Sequence, residues 1–155
     1  MKDLLANLYK YVGFFVGYLP VHFMRTAYYR DILKCKIGKN ISIYRHYQTR
    51  KGEISIGDSY VISENALLLD GNEEKWIGDN VIISSKLSIY SLQHDYNHAY
   101  FSTIDGAIII EDNYWNNCNS IIPSYVTTEE DLVLGVMCLV NKDIHYKLNY
   151  HKTFY

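Results

Sequence analysis

Between Ile56 and Val140 aliphatic residues return every six positions, and this period constrains the fold more than any other feature of the chain. Ile56, Ile62 and Leu68, then Ile77, Ile83 and Ile89, then Ile110, Asn116 and Ile122, then Thr128, Leu134 and Val140 make twelve positions in four triplets, ten of them aliphatic. Gly follows the repeat position at Gly57, Gly78 and Gly135, and an earlier partial turn reads Ile37-Gly38-Lys39-Asn40 with Ile43 six residues on. Gly, Asn and Asp tolerate the backbone of a tight corner. A period of six places one inward side chain on each short flat strand, followed by a corner, so three hexapeptides close a triangular coil of about eighteen residues. Stacked coils pair their strands in parallel and bury a column of side chains that no single coil could bury alone. The chain is therefore expected to be mainly β, a parallel β-helix over residues 37–144. An antiparallel sandwich would show alternation with period two instead.

Two features decorate this scaffold. The residue before many repeat positions is large and apolar, as at Val61, Leu67, Ile82, Trp115, Ile121, Val133 and Leu139; it points outward and calls for a cover, most economically another copy of the chain. The step from Leu68 to Ile77 exceeds six by three residues, and the step from Ile89 to Ile110 exceeds it by fifteen. The second slip predicts a long loop leaving the coil at about 95–109, and loops on a rigid scaffold are where function concentrates.

Outside the repeat, residues 1–36 have helical texture. Leu4, Leu5, Leu8, Tyr11, Val12 and Phe15 recur at three-and-four spacing, Pro20 breaks the run, and a second short helix is expected from about Val21 to Leu33. Lys10, Gly13, Gly17, Pro20 and His22 interrupt the apolar run from Leu4 to Met24, and no small-residue cleavage site follows. This argues for a helix docked on the body, with peripheral membrane contact as an alternative, rather than a span or a signal. Residues 145–155 form a tail outside the repeat.

With 155 residues and 48% apolar content, one domain with an ample core is expected. A net charge of −2 and scattered Lys and Arg argue against a nucleic-acid partner. Three cysteines, Cys35, Cys118 and Cys138, show neither CxxC nor finger spacing, which points to a reducing cytoplasm.

The densest polar group is Leu92-Gln93-His94-Asp95-Tyr96-Asn97-His98. A rigid strand presents His94 to the loop, and an imidazole of ordinary pKa, about 6.5, can take a proton from an alcohol near neutral pH and return it. A surface histidine is the plainer reading. His94 and His98 could serve as metal ligands only with a third ligand, none of which is evident nearby, so no metal is expected. Asp70, in Leu69-Asp70-Gly71, could orient an imidazole or bind a hydroxyl, or simply form a turn; Asn65 is similar, and Asp95 adjoins His94 as a further candidate for substrate binding.

The run from Ile56-Gly57-Asp58-Ser59 through Ile77-Gly78-Asp79-Asn80, Gln93-His94-Asp95-Tyr96, Ile108-Ile109-Ile110-Glu111-Asp112-Asn113-Tyr114-Trp115 and Val140-Asn141-Lys142-Asp143-Ile144 resembles the hexapeptide-repeat acetyltransferases of the maltose, galactoside and capsule-polysaccharide type. The resemblance covers about two thirds of the chain. It implies a left-handed coil, a homotrimer, and acetyl-coenzyme A bound in a groove between neighbouring subunits. It also implies acetyl transfer to a sugar hydroxyl, in surface polysaccharide synthesis, with His94 as general base. Trp115 then matches the aromatic residue beside the thioester arm, Val136 a backbone contact to the pantetheine, and Asn141 and Lys142 the pair near the cofactor's far end; Asn117 follows in the same strip. Departures cluster on the cofactor side. Asn116 and Asn117 replace an aliphatic residue and Gly, Ser124-Tyr125 replaces a Pro-Gly corner, and Gly135-Val136-Met137 replaces Gly-Ala-Gly. A structural or regulatory trimer that no longer binds coenzyme A is the alternative these departures raise.

Overall fold

The computed structural model describes residues 2–49, 54–69, 75–144 and 149–150. From Lys36 onward the chain winds as a triangular solenoid of two- and three-residue strands, which pair in parallel into three sheets. On the first face Ile37, Ile56, Ile77, Ile110 and Thr128 stand in register. The second face aligns Ile43, Ile62, Ile83, Asn116 and Leu134. The third aligns Thr49, Leu68, Ile89 and Ile122. All twelve repeat positions read from the sequence are buried, none more than 5% exposed. An isoleucine or leucine fully removed from water in such a column contributes about 1.5–3 kcal/mol.

The core is denser than one inward residue per strand. The position two before the repeat residue is buried as well, at Ile54, Tyr60, Ala66, Val81, Leu87, Tyr114, Val126 and Leu132. Side chains two apart on a strand share a face, so each hexapeptide sends two groups inward. Where the apolar outward row was expected, Ile82, Trp115, Ile121 and Leu139 are indeed exposed.

The corners divide their chemistry between two residues. Three positions after the repeat residue the backbone turns left-handed, at Asn40, His46, Ser59, Asn65, Asn80, Lys86, Asn113, Asn119, Tyr125, Asp131 and Met137, with φ between 55° and 63°. Asn and Asp accept that conformation more readily than other side chains. Glycine does a different job. A Cβ on Gly57 would lie 2.2 Å from Asp79 Oδ1, and one on Gly78 2.2 Å from Asp112 Oδ1. Those carboxylates accept the amides of the coil before them: Lys39 N donates to Asp58, Asp58 N to Asp79, and Asp79 N to Asp112, each at 2.7 Å. Glycine is required there by the closeness of the next coil, not by φ.

At one end the coil is capped by helices. α1 (Lys2–Val16) lays Tyr9 and Val16 against the core and brings Gly13 against Tyr28, whose hydroxyl donates to the Tyr9 carbonyl at 2.6 Å. α2 (His22–Ala27) runs on as a π-helical turn, Tyr28–Ile32, which buries Tyr28 and Tyr29. Arg25 is buried and donates to Ile43 O at 2.8 Å and to Leu19 O. His22 is half-buried with Nδ1 3.1 Å from Ile43 O. At the other end Asn149–Tyr150 adds a strand to the second face beside Val133–Leu134.

Candidate functional site

Every departure from the six-residue step falls on one edge of the prism, where the third face turns into the first. There the chain leaves the coil after Ser88–Tyr90 and folds into an antiparallel hairpin, Leu92–His94 against Thr103–Asp105, with His94 opposite Thr103. Gly106 N donates to Ser91 O at 2.9 Å and closes the neck, and the coil resumes at Ile108. The loop expected at about 95–109 thus begins three residues earlier as a strand, and Ile108 and Ile109 already belong to the first face. Strand pairing between 92–94 and 103–105 has no periodicity of its own, so spacing alone did not reveal it.

The hairpin sets the state of both its histidines. His94 Nδ1–H donates to the Phe101 carbonyl oxygen at 2.7 Å. A carbonyl only accepts, so this bond fixes the proton on Nδ1 and leaves Nε2 with a lone pair on an exposed face. His98 has the opposite arrangement: its Nδ1 accepts the Tyr100 amide at 3.3 Å, so the neutral ring carries its proton on Nε2. Asp95 is spent on the turn, its Oδ1 accepting Asn97 N at 2.9 Å and its carbonyl accepting His98 N at 3.2 Å. Phe101 holds φ at 47°, a left-handed backbone that aims its carbonyl at the imidazole.

One coil further on, the same edge carries Tyr125. Its hydroxyl donates to the Asp105 carbonyl at 2.7 Å, and its ring lies over Gly106, where a Cβ would come within 2.6 Å of the ring carbons. Sequence comparison presents Tyr125 only as a replaced corner; in the structure it braces the base of the hairpin. Asn141 and Lys142 follow on this edge in the last coil, both exposed, and Asp143 Oδ1 accepts Thr127 N at 2.7 Å.

The other candidates lie elsewhere in the same chain. Trp115 stands outward on the second face, 45% exposed, in register with Ile82 and Val133. Asn117 and the exposed Val136 lie where the second face turns into the third, and Asn117 Nδ2 donates to Leu134 O at 2.8 Å. Ile82 and Trp115, in register and both outward, make a short apolar strip, which suits a flexible, largely apolar thioester arm. The second face is the one face that does not border the hairpin edge, so a single chain does not bring Trp115 to His94. Asn65 occupies a left-handed corner between the second and third faces and lines a cavity of about 300 Å³ under α1, together with Tyr9, Tyr28, His46 and Tyr47. Asp70 lies outside the described residues. Among the described residues no cluster of three His, Cys, Asp or Glu side chains is placed to hold a metal ion.

Asn116 meets its need for partners only in part. It is fully buried; Nδ2 donates to Asn117 O at 3.0 Å, and Oδ1 finds no partner among the described residues. Ser120 Oγ, also buried, donates to the same carbonyl at 3.0 Å and lies 3.3 Å from Gly135 O, a polar strut that aliphatic periodicity could not announce.

The parallel triangular solenoid defines the class of fold: the chain has the fold of the hexapeptide-repeat acetyltransferases. A hexapeptide-repeat-containing acetyltransferase from Vibrio cholerae is similar over 92% of this chain and 82% of its own, with 27% identity and a TM-score of 0.80. Its complex with acetyl-coenzyme A is similar over 92% and 79%, with 24% identity and a TM-score of 0.79. A maltose O-acetyltransferase from Clostridium difficile 630 matches over 90% and 77%, at 23% identity and a TM-score of 0.77, and a galactoside acetyltransferase in complex with coenzyme A over 90% and 74%, at 21% and 0.73. No protein-family model matches the sequence, and none of the curated proteins does.

Proposed function

We propose that this protein moves an acetyl group from acetyl-coenzyme A to a sugar hydroxyl, in surface polysaccharide synthesis, with His94 as general base. The observation that carries the reading is the bond from His94 Nδ1–H to the Phe101 carbonyl, which leaves Nε2 as the acceptor of the hydroxyl proton. The sugar oxygen then attacks the thioester carbonyl, the C–S bond breaks, and the protonated imidazole returns its proton to the departing thiolate. A similar structure with acetyl-coenzyme A bound supports the donor. The separation of His94 from the second face supports a homotrimer, in which the arm of one subunit meets the Trp115 strip of its neighbour. Asn141 and Lys142, on the arm's own edge, are suited to the far end of the cofactor.

Thiol release from acetyl-coenzyme A with a panel of sugars tests the reading. His94→Asn should lower turnover at least about 100-fold with little change in cofactor affinity. Release that is indifferent to His94, or absent with every acceptor, would count against it. Val136 and Met137, in place of small residues, favour a second reading: a structural trimer that no longer binds coenzyme A. Calorimetry separates the two, because micromolar binding excludes the second.

A further inference from the structure

Locally the basic residues are scattered, but along the chain they are not. Ten of the fifteen Lys and Arg residues lie within residues 1–51, together with only two of the seventeen Asp and Glu residues. Lys34, Lys36 and Lys39 are exposed on the π-helical turn's exit and the first coil, and the strands of that coil are the terminal strands of all three sheets. Among the described residues Arg25 is buried and Arg45 pairs with Glu64, so the exposed Arg30, Lys34, Lys36 and Lys39 make the capped end net positive, whereas residues 52–155 carry five Lys and Arg against fifteen Asp and Glu.

The same end carries large apolar groups that nothing among the described residues covers. Tyr11 is 69% exposed, Phe15 56% and Phe23 71%, with Phe14 and Tyr18 also outward. The rings of Tyr11, Phe15, Phe14 and Tyr18 meet edge to face in a chain with centroids 5.3–5.7 Å apart, Phe14 and Tyr18 also touching the His46 ring, while Phe23 stands exposed on α2. No helix among the described residues is long and apolar enough to cross a membrane, and α1 at fifteen residues is well short of a span. An exposed aromatic and aliphatic helix face, with exposed lysines at the same end of the prism, is an arrangement that lies flat at a bilayer interface. The rings enter the acyl boundary while the lysines remain among the headgroups.

We infer that the helical cap, through Tyr11, Phe15 and Phe23 with Lys34 and Lys39, docks the protein on an anionic membrane surface. Charge complementarity selects this occupant. A negative leaflet attracts the basic end and repels the acidic remainder of the prism, which orients the solenoid with its cap toward the lipid. A nucleic acid would use the charge but leaves the aliphatic part of the patch, Val12, Val21 and Met24, uncovered.

The test uses the full chain and sedimentation with vesicles, and it requires no acetyl transfer, so its outcome is separate from that of the proposed reaction. Binding should be roughly tenfold or more stronger to phosphatidylcholine vesicles containing about one third phosphatidylglycerol than to phosphatidylcholine alone. It should fall severalfold in about 0.5 M salt. Phe15→Ser with Phe23→Ser should abolish it, and Lys34→Gln with Lys39→Gln should remove the preference for anionic lipid. Circular dichroism melts would check that each variant folds, and either pair suffices if the other does not. Equal binding to both vesicle types, or no binding, overturns the proposal. So would a change of oligomeric state by light scattering in Phe15→Ser/Phe23→Ser without lipid, or tight binding of a single-stranded oligonucleotide in place of vesicles.

Discussion

The hydroxyl of Tyr125 donates to the carbonyl oxygen of Asp105, tying the foot of the histidine arm to the next coil of the prism. Tyr125→Phe keeps the ring over Gly106 and deletes the bond. Stability should fall by only about 1 kcal/mol, whereas acetyl transfer should fall roughly tenfold or more, because small displacements of a reacting group are costly. Gly106→Ala should be worse, since its Cβ would displace the ring. Hydrogen exchange at the Gly106 amide, faster in both variants, would separate arm loosening from global unfolding.

Asn116→Leu should raise stability by about 1 kcal/mol. The side chain sits between Ile83 and Leu134 in the second-face column, and its buried Oδ1 has no partner among the described residues, so an aliphatic replacement removes a costly buried acceptor. Urea midpoints of the two proteins decide the sign.

Gly78→Ala should destabilise by about 2–4 kcal/mol, because the new methyl meets both Asp112 Oδ1 and the Asp112 backbone amide at 2.9 Å. Asp112→Ala relieves only the carboxylate clash. A double-mutant cycle should therefore show partial rescue, and a fully additive cycle would contradict the stacked-corner account.

Alkaline pH should weaken the fold. Burial pushes the phenols of Tyr29, Tyr47, Tyr60 and Tyr114 above their ordinary value of 10.0. Above that value the unfolded chain gives up phenol protons that the folded chain keeps. Stability is thus full below it and declines as pH rises, by about 1.4 kcal/mol per pH unit for each tyrosine. Tyr60 OH has no partner among the described residues, so Tyr60→Phe should flatten the slope at little cost near neutrality. Unfolding midpoints from about pH 8 to about pH 11 would show it.

What the chain's pattern reveals is whatever burial repeats. The column from Ile56 to Val140 is legible because a solenoid demands the same kind of side chain at the same interval, and even Asn116 and Thr128 stay buried in it. The arm is illegible beyond the prominence of His94, since the group that sets its tautomer is the Phe101 main-chain carbonyl, which any residue could supply. Tyr125 could be seen as a departure but not as a brace, because its partner lies in another turn of the coil. The glycines were visible, yet their reason was not: the clash they avoid is with an aspartate about twenty to thirty-four residues ahead. The positive cap has no local cluster to mark it, because its cations are spread over residues 1–51 and come together only at one end of the prism axis.

The closed neck of the hairpin, with Gly106 N on Ser91 O, makes the arm a cassette. Its two ends are already joined by a hydrogen bond, and the column resumes at Ile108 and Ile110 opposite Lys75 and Ile77 as though nothing had intervened. Replacing residues 92–105 with a short turn should leave a folded prism without its histidine. Grafting a different hairpin at the same neck should change what the edge presents while the supporting coils stay as they are.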